Sequence, residues 1–599
     1  MGDYKHLVER LVYDDPVLMR CVRSPGQWPV LLLAGLCCLL GLTTQEAGAA
    51  EEALPSHQEL PAGVIAYVVI PHVPALLDHL QTIVAMVRKV HPGRLLSQVS
   101  LLSGDAGFAH LDGSRPVVVA LLSSTTSAVP AVAAWIPTLA TEPAPYAQMA
   151  RIWGLAADTS PALTVLAGTD DDLPRAQALI AFYQDLAANP PAADIRLHVA
   201  CDRAWLTYGD ALREQEWLAA SRLAYLPHPA GAPDFVPAAR LGLAGSLGIA
   251  QDLLDLTVDL SADGHALSAV VDGISQPGSA LSQVLVAPST LPDAGAVLGP
   301  GAGITTIVAR IDPQAFSSFV TVFLSRVAAQ QSLPLNAAVM QLLSDYGSGT
   351  TGSFALRVAP DAVHGVSLSY VHGVTSAAAG LAFARRMVDL FTSGTATENP
   401  GAKLGLPMNA SLRMLPDGAA GAPSALLSIT MLPNGWPLQV GQALGAYLRD
   451  TELAFTPGWT VCVQDTTTLE GLSIRAQAAH LHPLPVTLAE TVFPSGYDVY
   501  LDSDLVGMVL ASLSIINPDG SGTTELLHQA LAKHQQREPL VLAGRFAAGA
   551  TRWRLHVPLA PLAALVDAGR EAMEPAPVAP AAPTPAPAPA AAPGAPAPH

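Results

Sequence analysis

The residues in this chain that could do chemistry come in small groups, and each group lacks a member. His480 and His482, in SIRAQAAHLHPLP, stand two positions apart. On a strand that spacing puts both imidazoles on one face, the geometry of a two-histidine metal edge. No third ligand follows nearby, and Leu472, Ile474 and Ala476 share the same parity, so the segment reads as the end of a strand with two plain histidines. His72 and the pair Asp78-His79 lie at a helix start, but their spacing is not the i, i+4 pairing of helical zinc sites.

GSGTT occurs twice, at Gly347 to Thr351 and at Gly520 to Thr524. A glycine-rich turn can cradle phosphate, yet neither copy carries the lysine that a P-loop needs. Both read as turns, the first leading into a strand at Ser353 to Val358 and the second into a helix capped by Thr523 or Thr524. Asp170, Asp171 and Asp172 could together hold a hard cation. They also precede an amphipathic helix, whose positive end they would complement, and the cap is the reading adopted. Cys201 and Cys462 sit among apolar residues, where a thiol stays protonated and inert. In TRWRLHV, Arg552, Arg554 and His556 alternate with Trp553, Leu555 and Val557, which makes a cationic row on one strand face, read as its solvent side. No G-x-S-x-G elbow, HExxH helix or EF-hand loop occurs. The sequence therefore assigns no catalytic residue, no metal ligand and no cofactor. Any enzyme would have to assemble its site from distant residues.

The elements that would position such groups repeat one pattern. GVIAYVVIPHVPALLDHL runs as a strand to Ile70, then Pro71 and Pro74, then a helix with apolar residues at helical spacing. Ile311-Asp312-Pro313 fills the same slot in ITTIVARIDPQAF, and Pro558 and Pro561 fill it in WRLHVPLAPLAALV. In YDVYLDSDLVGMVL, Asp502 and Asp504 take the place of the prolines as caps. Proline suits a first helical turn because the N–H it lacks would be unpaired there. A second unit is the hairpin that feeds a helix. LDLTVDLSADGHALSAVVDG alternates apolar and polar residues on either side of Asp263-Gly264, a strong turn signal. The segments around Ser353 to Val374 and Leu540 to Val557 share that order. Strand, turn, strand, helix, repeated at irregular spacing, predicts an α+β fold of duplicated antiparallel sheet modules with helices packed on one face.

Compartment is the clearest message. PVLLLAGLCCLLGL, Pro29 to Leu42, is 14 residues of apolar chain after Arg20 and Arg23. A membrane span needs about 20, so the run predicts a signal h-region, with Ala47-Gly48-Ala49 as the cleavage site. The other reading is an uncleaved N-terminal anchor, and either one places the body across the membrane. The chain then divides into 1–50, signal or anchor; 51–62, linker; 63–300 and 301–573, two α+β regions; and 574–599, a disordered Pro/Ala-rich tail. Formal charge is −19, with 30 Lys and Arg against 49 Asp and Glu, which repels phosphate backbones and argues against nucleic acid. Half of the residues are hydrophobic and only 13% are charged, so an aliphatic core holds the fold, and two surviving cysteines permit at most one disulfide. The expectation is an exported, periplasmic, envelope or secreted protein that binds or scaffolds an envelope partner. The alternatives are a carrier of an apolar ligand or lipid, and an enzyme with a dispersed site.

Overall fold

The structure, a computed structural model, describes residues 55–88, 105, 108–124, 129–139, 145–224, 248–286, 293–299, 303–331, 337–361, 364–392, 408–416, 418–431, 449–464, 466–481, 497–516, 522–533 and 538–573. The protein is α+β, with eighteen strands in one antiparallel sheet. The leader, His482, Gly520 and the Pro/Ala tail lie outside the described residues.

The strand-to-helix junctions fold as their prolines and aspartates dictate. Strand β1 (Val64–Ile70) leads into helix α1 (Val73–Arg88), with Pro74 in its first turn. Strand β9 (Thr305–Arg310) leads into α8 (Pro313–Gln331), where Asp312 Oδ1 accepts from the Ala315 amide at 2.7 Å. At the start of α12 (Leu505–Ile516), after β16 (Val499–Ser503), the Asp504 carboxylate accepts from the Gly507 amide at 2.8 Å. Asp502 is not a cap: it lies within β16, paired across the sheet with Thr306. Strand β18 (Ala550–Pro558) passes directly into α14 (Leu559–Met573).

The hairpins are also where the turn residues put them. Strands β7 (Leu253–Ala262) and β8 (Ala266–Ser275) are joined through Asp263, whose carboxylate accepts from the amides of His265 and Ala266, both at 2.6 Å. Between β17 (Leu540–Ala547) and β18 the chain turns on Ala548 and Gly549, both at positive φ. Strands β10 (Thr350–Asp361) and β11 (Gly365–Val374) form the third such pair.

Register-resolved pairs give the spatial order. The other strands are β2 (Val117–Leu122), β3 (Ala131–Pro137), β4 (Ala156–Ser160), β5 (Leu163–Ala167), β6 (Ile195–Ala200), β12 (Met408–Met414), β13 (Ser424–Met431), β14 (Thr451–Thr456) and β15 (Trp459–Val463). Neighbour by neighbour the sheet runs β4, β5, β3, β2, β1, β6, β7, β8, β18, β17, β16, β9, β10, β11, β15, β14, β13, β12. The β8–β18 pair joins residues of 63–300 to residues of 301–573 within that sheet.

Two expectations fail locally. The segment around His480 is no strand but helix α11 (Thr466–Leu481), which buries Leu469, Leu472, Ser473 and Ala476 and leaves Ile474 54% exposed. Those buried positions recur at i, i+3, i+4 and i+7, so the period is 3.6 where alternation was read. The first GSGTT segment is not a turn either, and of the second only Gly522 to Thr524 are described. In the first, Gly347 to Gly349 end helix α9 (Ala337–Gly349) and Thr350 and Thr351 begin β10; in the second, Thr523 and Thr524 lie inside helix α13 (Gly522–Ala532) rather than capping it.

Candidate binding face

Following the register across the sheet identifies two faces of opposite character, since paired residues in adjacent strands project to the same side. One transverse row reads Ala134, Val119, Val68, Leu197, Val258, Val271, Trp553, Gly544, Val499, Ala309, Phe354, His372, Thr460, with each residue the register partner of the next. It is apolar as far as Phe354; His372 and Thr460 then interrupt it, and Phe455 of β14, the register partner of Thr460, continues it. A parallel row on the same side reads Leu260, Ala269, Leu555, Leu542, Leu501, Ile307, Leu356, Tyr370.

The middle of this face is only half covered. Val258, Val271, Trp553, Leu555, Leu542, Leu501, Ile307, Leu356 and Phe354 are all half-buried. None belongs to a buried cluster. The helices gather at its two margins. At the end where β1, β16 and β18 stop, α1 packs on α14, α14 on α13, and α13 on α12. There Ile83 and Leu559 bury Ala262 and Leu267, while Ala511 meets Val366 and Ile304. At the opposite end α6 (Ala280–Val284) packs on α8, α8 on α9, and α9 on α10 (Ala377–Thr392). The apolar middle lies between these two rows as a trough transverse to the strands. Trp553 lies flat on its floor: a Cβ at Gly544 would fall 2.7 Å from the indole ring, so only glycine leaves room. Phe546 meets the indole edge-on, with ring centroids 5.6 Å apart.

On the opposite face the middle of the sheet is polar and internally paired. Arg196 grips Asp259 through two bonds of 2.6 Å, and Arg552 grips Asp272 through bonds of 2.7 and 2.8 Å. Arg552, in the row expected to be cationic, is thus neutralised from the neighbouring strand β8, and His556 lies 3.4 Å from Ser268 Oγ. Both ends of this face carry helices. Tyr183 of α4 (Ile180–Ala188) stacks on Trp135 at one end, and α11 with α7 (Ala294–Leu298) covers Val308, Val371 and Val461 at the other.

Beside the first of these clusters lies a gathering of polar groups that sequence reasoning missed. Asp255, with a side chain 3% exposed, takes a short bond from His57, and its other oxygen faces His198 Nε2 at 3.7 Å. His198 Nδ1 lies 2.9 Å from Thr257 Oγ1, and the imidazole stacks on Tyr67. Burial, partly opposed by the Asp255 carboxylate, holds His198 below the usual histidine range. Hydroxyl, imidazole and carboxylate stand in this order around His198, which is 2% exposed. What the cluster does is fasten the segment that enters β1. Gln58 accepts from Tyr67 Oη, and Arg203 donates to the carbonyls of Pro61 and Val64. An open pocket of about 490 Å³, lined by Gln58 to Ala62, Phe182 and Asp185, borders that fastening.

The residues singled out from sequence are dispersed. His72 is 3.4 Å from the Gly113 carbonyl, and His79 binds Asp194 at 3.1 Å. Asp172 precedes helix α3 (Leu173–Ala178), but its carboxylate turns to Thr169 and Arg175 instead of capping. Among the described residues no group of His, Cys, Asp or Glu is arranged to hold a metal ion. Cys201 and Cys462 are free thiols, and burial pushes both up to about 12. No described helix is long and apolar enough to cross a membrane. No family model matches the chain, and no curated protein is similar to it.

Proposed function

We propose that this protein is an exported, non-enzymatic binding protein of the cell envelope, and that its ligand is an elongated apolar molecule held along the trough. One observation carries the reading: nine large apolar side chains, contiguous by register across β7, β8, β18, β17, β16, β9 and β10, stay half-buried between two rows of helices. Folding gains about 25 cal/mol for each Å² of apolar surface removed from water, so leaving such a strip part-covered forgoes stabilisation that a ligand would supply. At about 4.8 Å per strand the seven strands span roughly 30 Å, enough to lay an extended long-chain lipid tail along them.

The trough also supports a duplicated architecture. Strand, long helix, then hairpin recurs from β1, β6, β9 and β16, and the sheet places these units alternately head to head and tail to tail: β1 beside β6, β8 beside β18, β16 beside β9. Helices α1, α12 and α14 then reach the same apolar face. We read that order as repeated modules facing one another across a shared groove. A scaffold that grips a protein partner through this face is the second reading.

Organic extraction of the natively purified protein, followed by mass spectrometry, tests the proposal. The expected result is a stoichiometric lipid or long-chain apolar compound that is lost when Val271 and Leu501 are both replaced by Asp while the protein stays folded by circular dichroism. A clean protein that also fails to bind a long-chain hydrocarbon in vitro would overturn it.

A further inference from the structure

A polar interruption of the apolar row carries information about the ligand's polar group. His372 and Thr460 face each other across β11 and β15, and they are the polar pair that interrupts the apolar row between Phe354 and Phe455, after ten apolar residues and one glycine. His372 is 4% exposed and Thr460 5%. Among the described residues neither His372 Nε2 nor Thr460 Oγ1 has a hydrogen-bond partner. A buried polar atom left without a partner costs about 1–3 kcal/mol, so two of them side by side call for an explanation. The surrounding walls are aromatic. Tyr346 of α9 stacks parallel to the imidazole at 5.8 Å, Tyr370 and Phe383 of α10 flank it at 5.8 Å each, and Phe354 precedes it in the row.

Resting on the trough as a lipid site, we propose that His372 and Thr460 receive the ligand's head, and that this head is an uncharged hydroxyl or carbonyl rather than a phosphate or carboxylate. Both protein groups match such a head, since a hydroxyl donates and accepts and a neutral imidazole nitrogen does one or the other. No cation is provided for an anion. Burial alone, with no neighbouring charge contributing, pulls the imidazole down to about 4, so it is neutral at pH 7. An anionic head placed here would be desolvated with nothing to pair it. The neutral class of ligand is a monoacylglycerol, a diacylglycerol or a long-chain alcohol.

Delipidated full-length protein is titrated with three probes sharing an eighteen-carbon unsaturated chain: 1-monooleoylglycerol, oleyl phosphate and 1-octadecene. The expected order is monooleoylglycerol about tenfold or more tighter than the other two. In the His372→Phe, Thr460→Val double variant that advantage disappears while 1-octadecene binds as before, and the retained hydrocarbon binding shows that the trough is intact. Should the double variant lose 1-octadecene as well, the isosteric Thr460→Val variant decides, with an expected threefold to fivefold loss for monooleoylglycerol alone. A wild-type preference for oleyl phosphate, or a monooleoylglycerol preference that survives both substitutions, overturns the head assignment and leaves the trough reading standing. Wild-type protein that binds none of the three overturns both.

Discussion

Replacing Gly544 by Ala tests the floor of the trough directly, because the geometry there leaves little freedom. An ideal Cβ at residue 544 would lie 2.7 Å from both Cε3 and Cζ3 of Trp553 and 3.0 Å from Cδ2. Ordinary carbon contacts are about 3.5–4.0 Å, so the indole must lift by roughly 1 Å. Phe546 restrains it from one side, edge-on at 5.6 Å. Overpacking of this kind costs about 1–3 kcal/mol. Gly to Ala in a strand otherwise favours folding by about 0.5–1 kcal/mol through backbone entropy, so the net expectation is a loss of about 0.5–2 kcal/mol. Urea denaturation followed by circular dichroism reads it as a lower midpoint with unchanged slope. The cycle with Trp553→Leu is more decisive than the single change: with the indole gone, Gly544→Ala should become neutral or stabilising, giving a coupling of at least about 1 kcal/mol. Additivity within about 0.3 kcal/mol would refute the flat packing of Trp553 on Gly544.

Arg552→Met should destabilise by about 2–4 kcal/mol, because it strands the half-buried Asp272 carboxylate, whereas Arg552→Met with Asp272→Leu should recover most of that loss; thermal denaturation of the three variants checks it. His372 supplies a pH signature. Its folded value near 4 lies below the ordinary 6.5, so the neutral form is the one the fold prefers. Its contribution, of order 3 kcal/mol, should therefore be complete above pH 6.5 and be lost progressively as pH falls toward 4. The urea midpoint of wild type should fall relative to that of His372→Phe as pH drops across that window. Cys201 and Cys462 should stay silent toward a thiol reagent at pH 8 in the native protein and react on denaturation, and fast native labelling would contradict their burial. Amino-terminal sequencing of the native protein should begin near Ala50, and recovery of Met1 or Gly2 would refute cleavage in favour of an anchor.

Local features were legible in the sequence wherever one residue type enforces one conformation. Asp263-Gly264 sets the β7–β8 turn through its carboxylate, Pro313 can only begin a helix in that slot, and the strand at Trp553 has the parity that alternation implies. Helix α11 was misread because Leu472, Ile474 and Ala476 satisfy a period of two as well as Leu469, Leu472 and Ala476 satisfy 3.6, and only burial separates the cases. The Arg552 row looked cationic because its partner Asp272 stands 280 positions away in the chain. The trough was illegible for the same reason. Val258, Trp553, Ile307 and Phe354 become neighbours only through pairings between strands far apart in sequence, and the aliphatic richness that hinted at a carrier could as well have been buried core.

The three surfaces of the sheet can be weighed against one another as places for a partner. Its polar face has already spent its charges, since Arg196, Arg552, Asp259 and Asp272 saturate each other in bidentate pairs, and an incoming ionic partner would have to break bonds before making any. Its edges discourage strand addition. Strand β4 is five residues long and exposes Asp158, Thr159 and Ser160, and β12 exposes Asn409, Ser411 and Arg413. The apolar face differs from both in its half-covered side chains along the middle, beyond which His372 and Thr460 carry unpaired polar atoms. An amphiphile with a neutral head uses both at once: its chain removes the strip from water and its head satisfies His372 and Thr460. A protein helix laid on the same strip would cover the side chains but leave the polar pair orphaned unless a hydroxyl stood at its tip. That difference is why the comparison of monooleoylglycerol with 1-octadecene separates a lipid carrier from a scaffold more sharply than affinity for either alone.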